Sequence, residues 1–595
     1  MFLNRARQQI PTRGAFSRSY RISKTVGLTS RAFSSNDQPG SRETLSHRKW
    51  LRPAIVFMVA FTTASMAYAY AYYPGMKTAE EPIASTKVVM DNAKAKGLSR
   101  EENRGFLNSQ YRQVKKALEN PGVYAWGSNK YCVVDFESND TVVKIPRRLH
   151  FFDGVLLRDL KLDEKSGAAI TENGDLVQWG KGFSETNFKP TRTLTGKNLL
   201  SVCMSRDRII TLSSDGSVYS LPISEADQET GPKQREAAWL PFHSSISSLS
   251  YRQLRPNLGL GEWITALSGG LEHVLLLSSA GRVFSASAAT EDFPSKGQLG
   301  IPGLNWLTRP QGPVDSCHEI KSLREYKVTQ IASGDYHSLV LDKDGRVFVF
   351  GDNSFGQLGI QFDVTSPFKD TPNLLSLKSL YPSKDGIPKA TGIAAGGFNS
   401  FLTVDVQWPA TPRDEKISVK DICNITADTW AFGKGIYGTL GNGRWTHLQD
   451  TPTKVKSLSN LFEYNERTQR ISPIRLHGIS VGTTHAAAIL GNQTHLNLSE
   501  KSNRSPLTDT KWGADVFWWG GNEYFQLGTG KRNNVPVPTY INAPVDIDNI
   551  TDGDLNSNTR FQIIPHYKGK VNGRRVAFEQ RVECGRNVSA VYSAV

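Results

Sequence analysis

Residues 331–359, IASGDYHSLVLDKDGRVFVFGDNSFGQLG, alternate short apolar runs with polar turns: HSLVL (337–341) halts at Asp344–Gly345, and VFVFG (347–351) follows. Two such runs joined by a pair that tolerates positive φ predict a β-hairpin. Degraded copies recur along the chain. The turn returns as Asn173–Gly174, Asp215–Gly216 and Ala280–Gly281, each followed by an apolar run: LVQWG (176–180), VYSL (218–221) and VFSAS (283–287). TWAFG (429–433) and VFWWG (516–520) stand in the same place further on. Aromatic and β-branched residues suit a pleated, face-packed strand. With Gly334–x–x–His337 as phase marker, the equivalent slot falls at Ser166, Arg208, His273, His337, Ser400, His485 and Val588, which divides the chain into seven units.

The two ends of the array are complementary. VECGRNVSAVYSAV (582–595) holds the first half of a unit, and VYAWGSN (123–129) holds the second half alone. Together they complete one unit, which predicts an all-β fold: a seven-bladed β-propeller over 122–595, closed by strands from both termini so that no sheet edge is left exposed. An open solenoid is the other arrangement available to such units.

The GxxH turn, DG turn, aromatic–Gly pair and GQLG tail at 334–359 resemble the regulator-of-chromosome-condensation repeat. Looser copies stand at 270–300, ending KGQLG, and at 482–528, ending EYFQLG; units at 160–182 and 199–222 lack both the His and the tail. The resemblance implies the propeller fold. The family includes a guanine-nucleotide exchange factor for a small GTPase that works through acidic and His residues of one face. Four of the seven corresponding slots here read Ser166, Arg208, Ser400 and Val588, so that face does not carry over residue by residue. The resemblance extends to membrane-anchored mitochondrial members associated with respiratory-chain assembly, notably of the cytochrome bc1 complex.

The segment before the repeats speaks of location. Its first 36 residues contain Arg5, Arg7, Arg13, Arg18, Arg21, Lys24 and Arg31 and no acid. That is the composition of a mitochondrial transit peptide, here read as 1–33 with the mature chain starting near Ser34. Residues 53–73, PAIVFMVAFTTASMAYAYAYY, carry no charge between Arg52 and Lys77. They are long enough to span a hydrocarbon core of about 30 Å, with Tyr68, Tyr70, Tyr72 and Tyr73 placed for the interface. Arg42, Arg48, Lys49 and Arg52 before the span, against Lys77, Glu80 and Glu81 after it, predict an inner-membrane anchor with the propeller in the intermembrane space. A helical connector is predicted over 85–120. Ser99 and Glu102 match a capping box, and Leu107, Tyr111, Val114 and Leu118 form one face before Pro121–Gly122. That stripe is expected to dock on the propeller or on a partner.

Charge and cysteine content narrow the functional classes. The chain is +15 overall, but the first 50 residues hold ten Lys or Arg against two acids, which leaves +7 for the other 545. Such dilution gives no reason to expect a nucleic-acid partner. Cys132, Cys203, Cys317, Cys423 and Cys584 are odd in number and never in CxxC spacing, so neither a disulfide framework nor a zinc site is predicted. No phosphate loop, HExxH or GxSxG occurs, and no catalytic, metal or cofactor site is predicted. His273, His337 and His485 lie in separate units and are read as structural, each imidazole bonded to backbone of its own or the next blade.

Departures from the repeat locate the expected working surface. The DG turn is replaced at 405–428 and again at 491–515, in neighbouring units and at the same end. Long loops on a rigid scaffold commonly carry binding surface, and Trp408 and Trp512 are candidate partner-binding anchors. The expectation is a non-enzymatic platform on the mitochondrial inner membrane, a respiratory-chain assembly factor whose client is a protein such as a cytochrome bc1 assembly intermediate. The alternative is an exchange factor or mitoribosome-biogenesis partner of an organellar GTPase.

Overall fold

Each apolar run of the repeat becomes one strand of a four-stranded antiparallel sheet. A computed structural model describes residues 113–595 apart from 238–243, 291–292, 383–384, 410–423, 466–469, 492–494, 497–509, 512, 545–559, 565 and 572–573. The transit peptide at 1–33, the anchor at 53–73, most of the 85–120 connector and Trp512 lie outside these residues. Among the described residues no helix is long and apolar enough to cross a membrane.

The best-preserved repeat shows the plan. Val328–Ser333, His337–Asp342, Val347–Asp352 and Phe368–Leu374 pair in that order, with His337 opposite Gly351 and Leu341 opposite Val347. The DG turn between the second and third strands places Gly345 at φ +84°, and Gly174, Gly216 and Gly281 match it at +83°, +83° and +84°. Both faces of the sheet are covered. Leu339 and Val349 join one core cluster while Val340, Phe348 and Phe350 join the next, which is why the runs read as continuously apolar.

The same order of four recurs at 157–192, 199–254, 264–319, 387–454 and 476–539. The remaining blade is closed by the two ends of the array. Val588–Ala594 lies between Arg574–Cys584 and Val123–Ser128, and Val142–Arg148 completes the sheet. Trp126 meets Trp518 of the preceding blade edge-to-face at 5.0 Å, and its indole N–H donates to the Gln526 carbonyl at 2.9 Å.

Strand register corrects one position in the repeat phase. Asn399, not Ser400, stands opposite Gly433, as His337 stands opposite Gly351 and His485 opposite Gly520. The paired glycines Gly396–Gly397 offer two phases to a reader of the sequence, and pairing selects the first.

That shift exposes the purpose of the histidines. His273 Nε2 lies 2.8 Å from Ser338 Oγ, His337 Nε2 2.8 Å from Ser400 Oγ, and His485 Nε2 2.7 Å from Ser589 Oγ. Each serine belongs to the next blade and donates its own proton to a carbonyl, of Gln298, Gln357 and Gln526 respectively. With the hydroxyl proton so used, the imidazole Nε2–H donates to the serine. These glutamines are those of the GQLG and FQLG tails, so both halves of the motif meet at one blade-to-blade junction. Asn399 faces a next blade that offers Ala486 in the serine position, and no histidine is needed there. The partner is therefore a side-chain hydroxyl of the next blade, where the sequence suggested backbone.

The antiparallel order gives the array two ends. One gathers the GxxH turns and GQLG loops; the other gathers the DG turns and the connections between blades. Residues 113–119 form a helix that reaches the second end, with Val114 buried against Leu156, Ile564 and Phe578 and Leu118 beside them. Gln113 Nε2 donates to the Gln562 carbonyl at 2.9 Å. The described end of the connector therefore docks on the blades themselves.

Candidate functional site

Both predicted insertions leave the DG end, from the blades at 387–454 and 476–539. The first is partly a prolonged hairpin: Asn399–Gln407 and Ile425–Gly435 stay paired out to Gln407 opposite Ile425, so 405–407 and 425–428 of the expected 405–428 insertion are paired strand. In the second, the hairpin strand resumes at Ala514, and His495–Leu496 pairs with Thr510–Lys511 inside the insertion.

Because the first of these blades rises above the second, a cavity of about 390 Å³ opens between them. Val404, Ala427, Asp428 and Leu458 are its buried floor, and Arg475 and His477 stand on its wall. Arg475 grips Asp405 across the cavity through Nε and Nη2, at 2.9 and 2.8 Å from Oδ2. His477 reaches Glu579 of the closing blade at 3.7 Å, and that contact holds the imidazole above its ordinary pKa. Asp428 accepts from the Tyr381 hydroxyl at 3.0 Å and pairs with Lys454 at 2.8 Å. Burial pushes the Tyr381 phenol above its usual pKa, while the Trp430 indole N–H donates to its oxygen.

Trp408 sits at the rim but turns inward. Its indole N–H donates to Thr426 Oγ1 at 3.0 Å, and its ring meets Tyr381 edge-to-face at 6.3 Å. Half-buried in this way, it supports its own blade. Trp408→Ala is expected to lower stability by about 1–2 kcal/mol, read as a fall in the urea midpoint. Trp512 lies outside the described residues.

A feature not visible in the repeat pattern adjoins the cavity. Phe462–Asn465 and Arg470–Pro473 form an isolated hairpin in the connection between the two blades, with Phe462 opposite Pro473 and Tyr464 opposite Ile471. Phe462, Tyr464 and Ile471 are 39%, 54% and 38% exposed, so the hairpin shows an apolar face to solvent. The sequence signal was weak, because neither half carries the aromatic–Gly ending of a blade strand.

Chemistry elsewhere is concentrated on the array axis, where the first strands line a cavity of about 610 Å³. Lys161 and Glu583 pair there at 2.7 Å, and Arg586 lies 3.2 Å from Asp163 and 3.8 Å from Asp335. Burial pushes the Glu583 carboxyl up to about 7 and the Cys203 thiol up to about 12. These ion pairs tie one blade to another. Cys203 and Cys584 are buried, as packing residues should be. Among the described residues no group of three His, Cys, Asp or Glu could hold a metal ion.

Fold and repeat together define a β-propeller, three blades of which carry the GxxH turn and a Gln-Leu-Gly loop. The regulator of chromosome condensation (RCC1) repeat matches residues 328–357 in one form and 344–402 and 514–552 in another, so the chain is a propeller containing RCC1 repeats. It is similar to the mitochondrial protein FMP25 of Saccharomyces cerevisiae, 25% identical over 494 residues, which cover 78% of this chain and 73% of that one. The mitochondrial RCC1 domain-containing protein RUG3 of Arabidopsis thaliana is 22% identical over 383 residues, covering 62% and 72%. The crystal structure of human WBSCR16 aligns with a TM-score of 0.50 at 17% identity, covering 80% of this chain and 99% of that one.

Proposed function

We propose that this chain is a non-enzymatic protein-binding platform of the mitochondrion, a closed ring of seven blades held at the inner membrane by residues 53–73. Its proposed role is assembly of a respiratory-chain complex, with the cytochrome bc1 complex as the favoured client. The acid-free, arginine-rich start and the mitochondrial relatives support the location. The observation that carries the binding role is the elaboration of two neighbouring blades at one end. There, the repeat is interrupted after Gln407 and after Leu490, and the described residues of the two blades enclose a cavity beside an apolar hairpin. Confinement to a membrane raises the effective concentration of a platform toward a client inserted in that membrane.

The test is affinity capture in mild detergent with the full chain and a version in which 409–424 and 491–513 are replaced by Asp–Gly turns, Trp408 being kept. Hairpin tips contribute little to a propeller core, so melting and membrane retention are expected to stay unchanged. Capture of cytochrome bc1 intermediates is expected to fall at least about tenfold, as when central contacts of an interface are removed. Undiminished capture by the trimmed chain would remove the DG end from the binding role.

A further inference from the structure

Lysines recur at equivalent places on the DG end. In three successive connections between blades a short 3-10 turn opens with Lys-Ser-Leu: Lys321–Leu323, Lys378–Leu380 and Lys456–Leu458. A second position repeats just before or at the start of the first strand, where a side-chain stem lies over the glycine of the preceding blade's DG turn. Trp263 does so over Gly216, Lys327 over Gly281 and Lys389 over Gly345. Packing the stem on backbone leaves the polar head to stand outward. Lys321, Lys327, Lys343, Lys378, Lys389 and Lys456 are all exposed, and none of them forms an ion pair among the described residues. On the same rim Glu325 and Asp385 are exposed acids, while Asp344 is held by Arg346 at 2.6 Å.

Apolar side chains project between the lysines. Leu260 is fully exposed, Ile387 is 70% exposed and Trp263 52%. Leu260 and Trp263 lie in a connection between blades and Ile387 opens the strand that follows another, so all three stand at the DG end. The described chain also enters at this end, through the helix at 113–119. The segment 53–73 lies 39 residues upstream of that helix, so whatever holds it lies within reach of this face.

We propose that the DG end rests on an anionic bilayer surface, the lysines meeting lipid phosphates and Leu260, Trp263 and Ile387 entering the headgroup layer. Cationic side chains interspersed with Trp and aliphatic residues are the composition of an interfacial contact. The proposal takes only the anchor at 53–73 from the proposed function. It puts the DG ends of the blades at 387–454 and 476–539 beside the membrane, where an inserted client is met.

The test uses the full chain in vesicles of phosphatidylcholine alone and of phosphatidylcholine with one-fifth cardiolipin, read by hydrogen exchange. Exchange in 255–263 and 385–390 is expected to slow at least tenfold in the anionic vesicles only. The protection should be lost in 0.5 M salt and in a Lys321→Glu, Lys378→Glu, Lys456→Glu variant whose melting is unchanged. A Trp306→Ser, Leu307→Ser variant at the opposite end should retain it. Equal exchange in both vesicles, or protection of 301–312 instead, would overturn the proposal. Carbonate extraction reports separately on the anchor: release of the chain with DG-end protection intact would sink the anchor alone.

Discussion

A chain ending at Arg581 is expected to lose its cooperative melt and to aggregate. Val588–Ala594 is an interior strand bonded on both sides, and its loss parts Val123–Ser128 from Arg574–Cys584. Val588, Val591 and Tyr592 are at most 3% exposed. Burying three such side chains contributes about 6 kcal/mol, as much as the whole net stability of many domains. His485 also loses Ser589, and the Gln526 carbonyl loses one of its two donors, Ser589, keeping only Trp126. Calorimetry of the truncated and full chains decides the matter. A sharp transition within a few degrees of the full chain would show that the ends do not close the fold.

That closure was legible because its evidence is local: half a unit at 123–129 and half at 582–595. Other features were hidden for physical reasons. The repeat phase slipped at Ser400 because two glycines precede it, and only pairing with Gly433 tells them apart. Nothing in DVQW reveals that pairing continues to Gln407 or that the Trp408 ring meets Tyr381. Lys161 and Glu583 are 422 residues apart, and no spacing rule joins them. The histidine junction was half visible. A His slot pairs with a serine one place after the next unit's slot, a relation between units that no single repeat contains.

This relation leads to a pH dependence with a definite sign. Burial holds His273 at about 3, His337 at about 4 and His485 at about 3, all below the ordinary 6.5, and each ring is fully buried. The unfolded chain takes up protons below pH 6.5 that the folded chain refuses. The stabilisation is therefore complete above 6.5 and is lost as pH falls from 6.5 toward 4. Each histidine loses about 1.4 kcal/mol per pH unit within that window, so at pH 5.5 the three together lose roughly 4 kcal/mol. Glu583, pushed up to about 7, acts in the opposite direction but is common to wild type and variant. Replacing the three histidines by asparagine removes the titration and shortens the reach to Ser338, Ser400 and Ser589. The variant is expected to be less stable at pH 7.5 by about 1–3 kcal/mol per lost junction and to show a shallower decline between pH 6.5 and 5. Urea midpoints at pH 7.5, 6.5 and 5.5 measure both effects. Parallel curves for the two proteins would mean that the imidazoles do not stay neutral at the blade junctions.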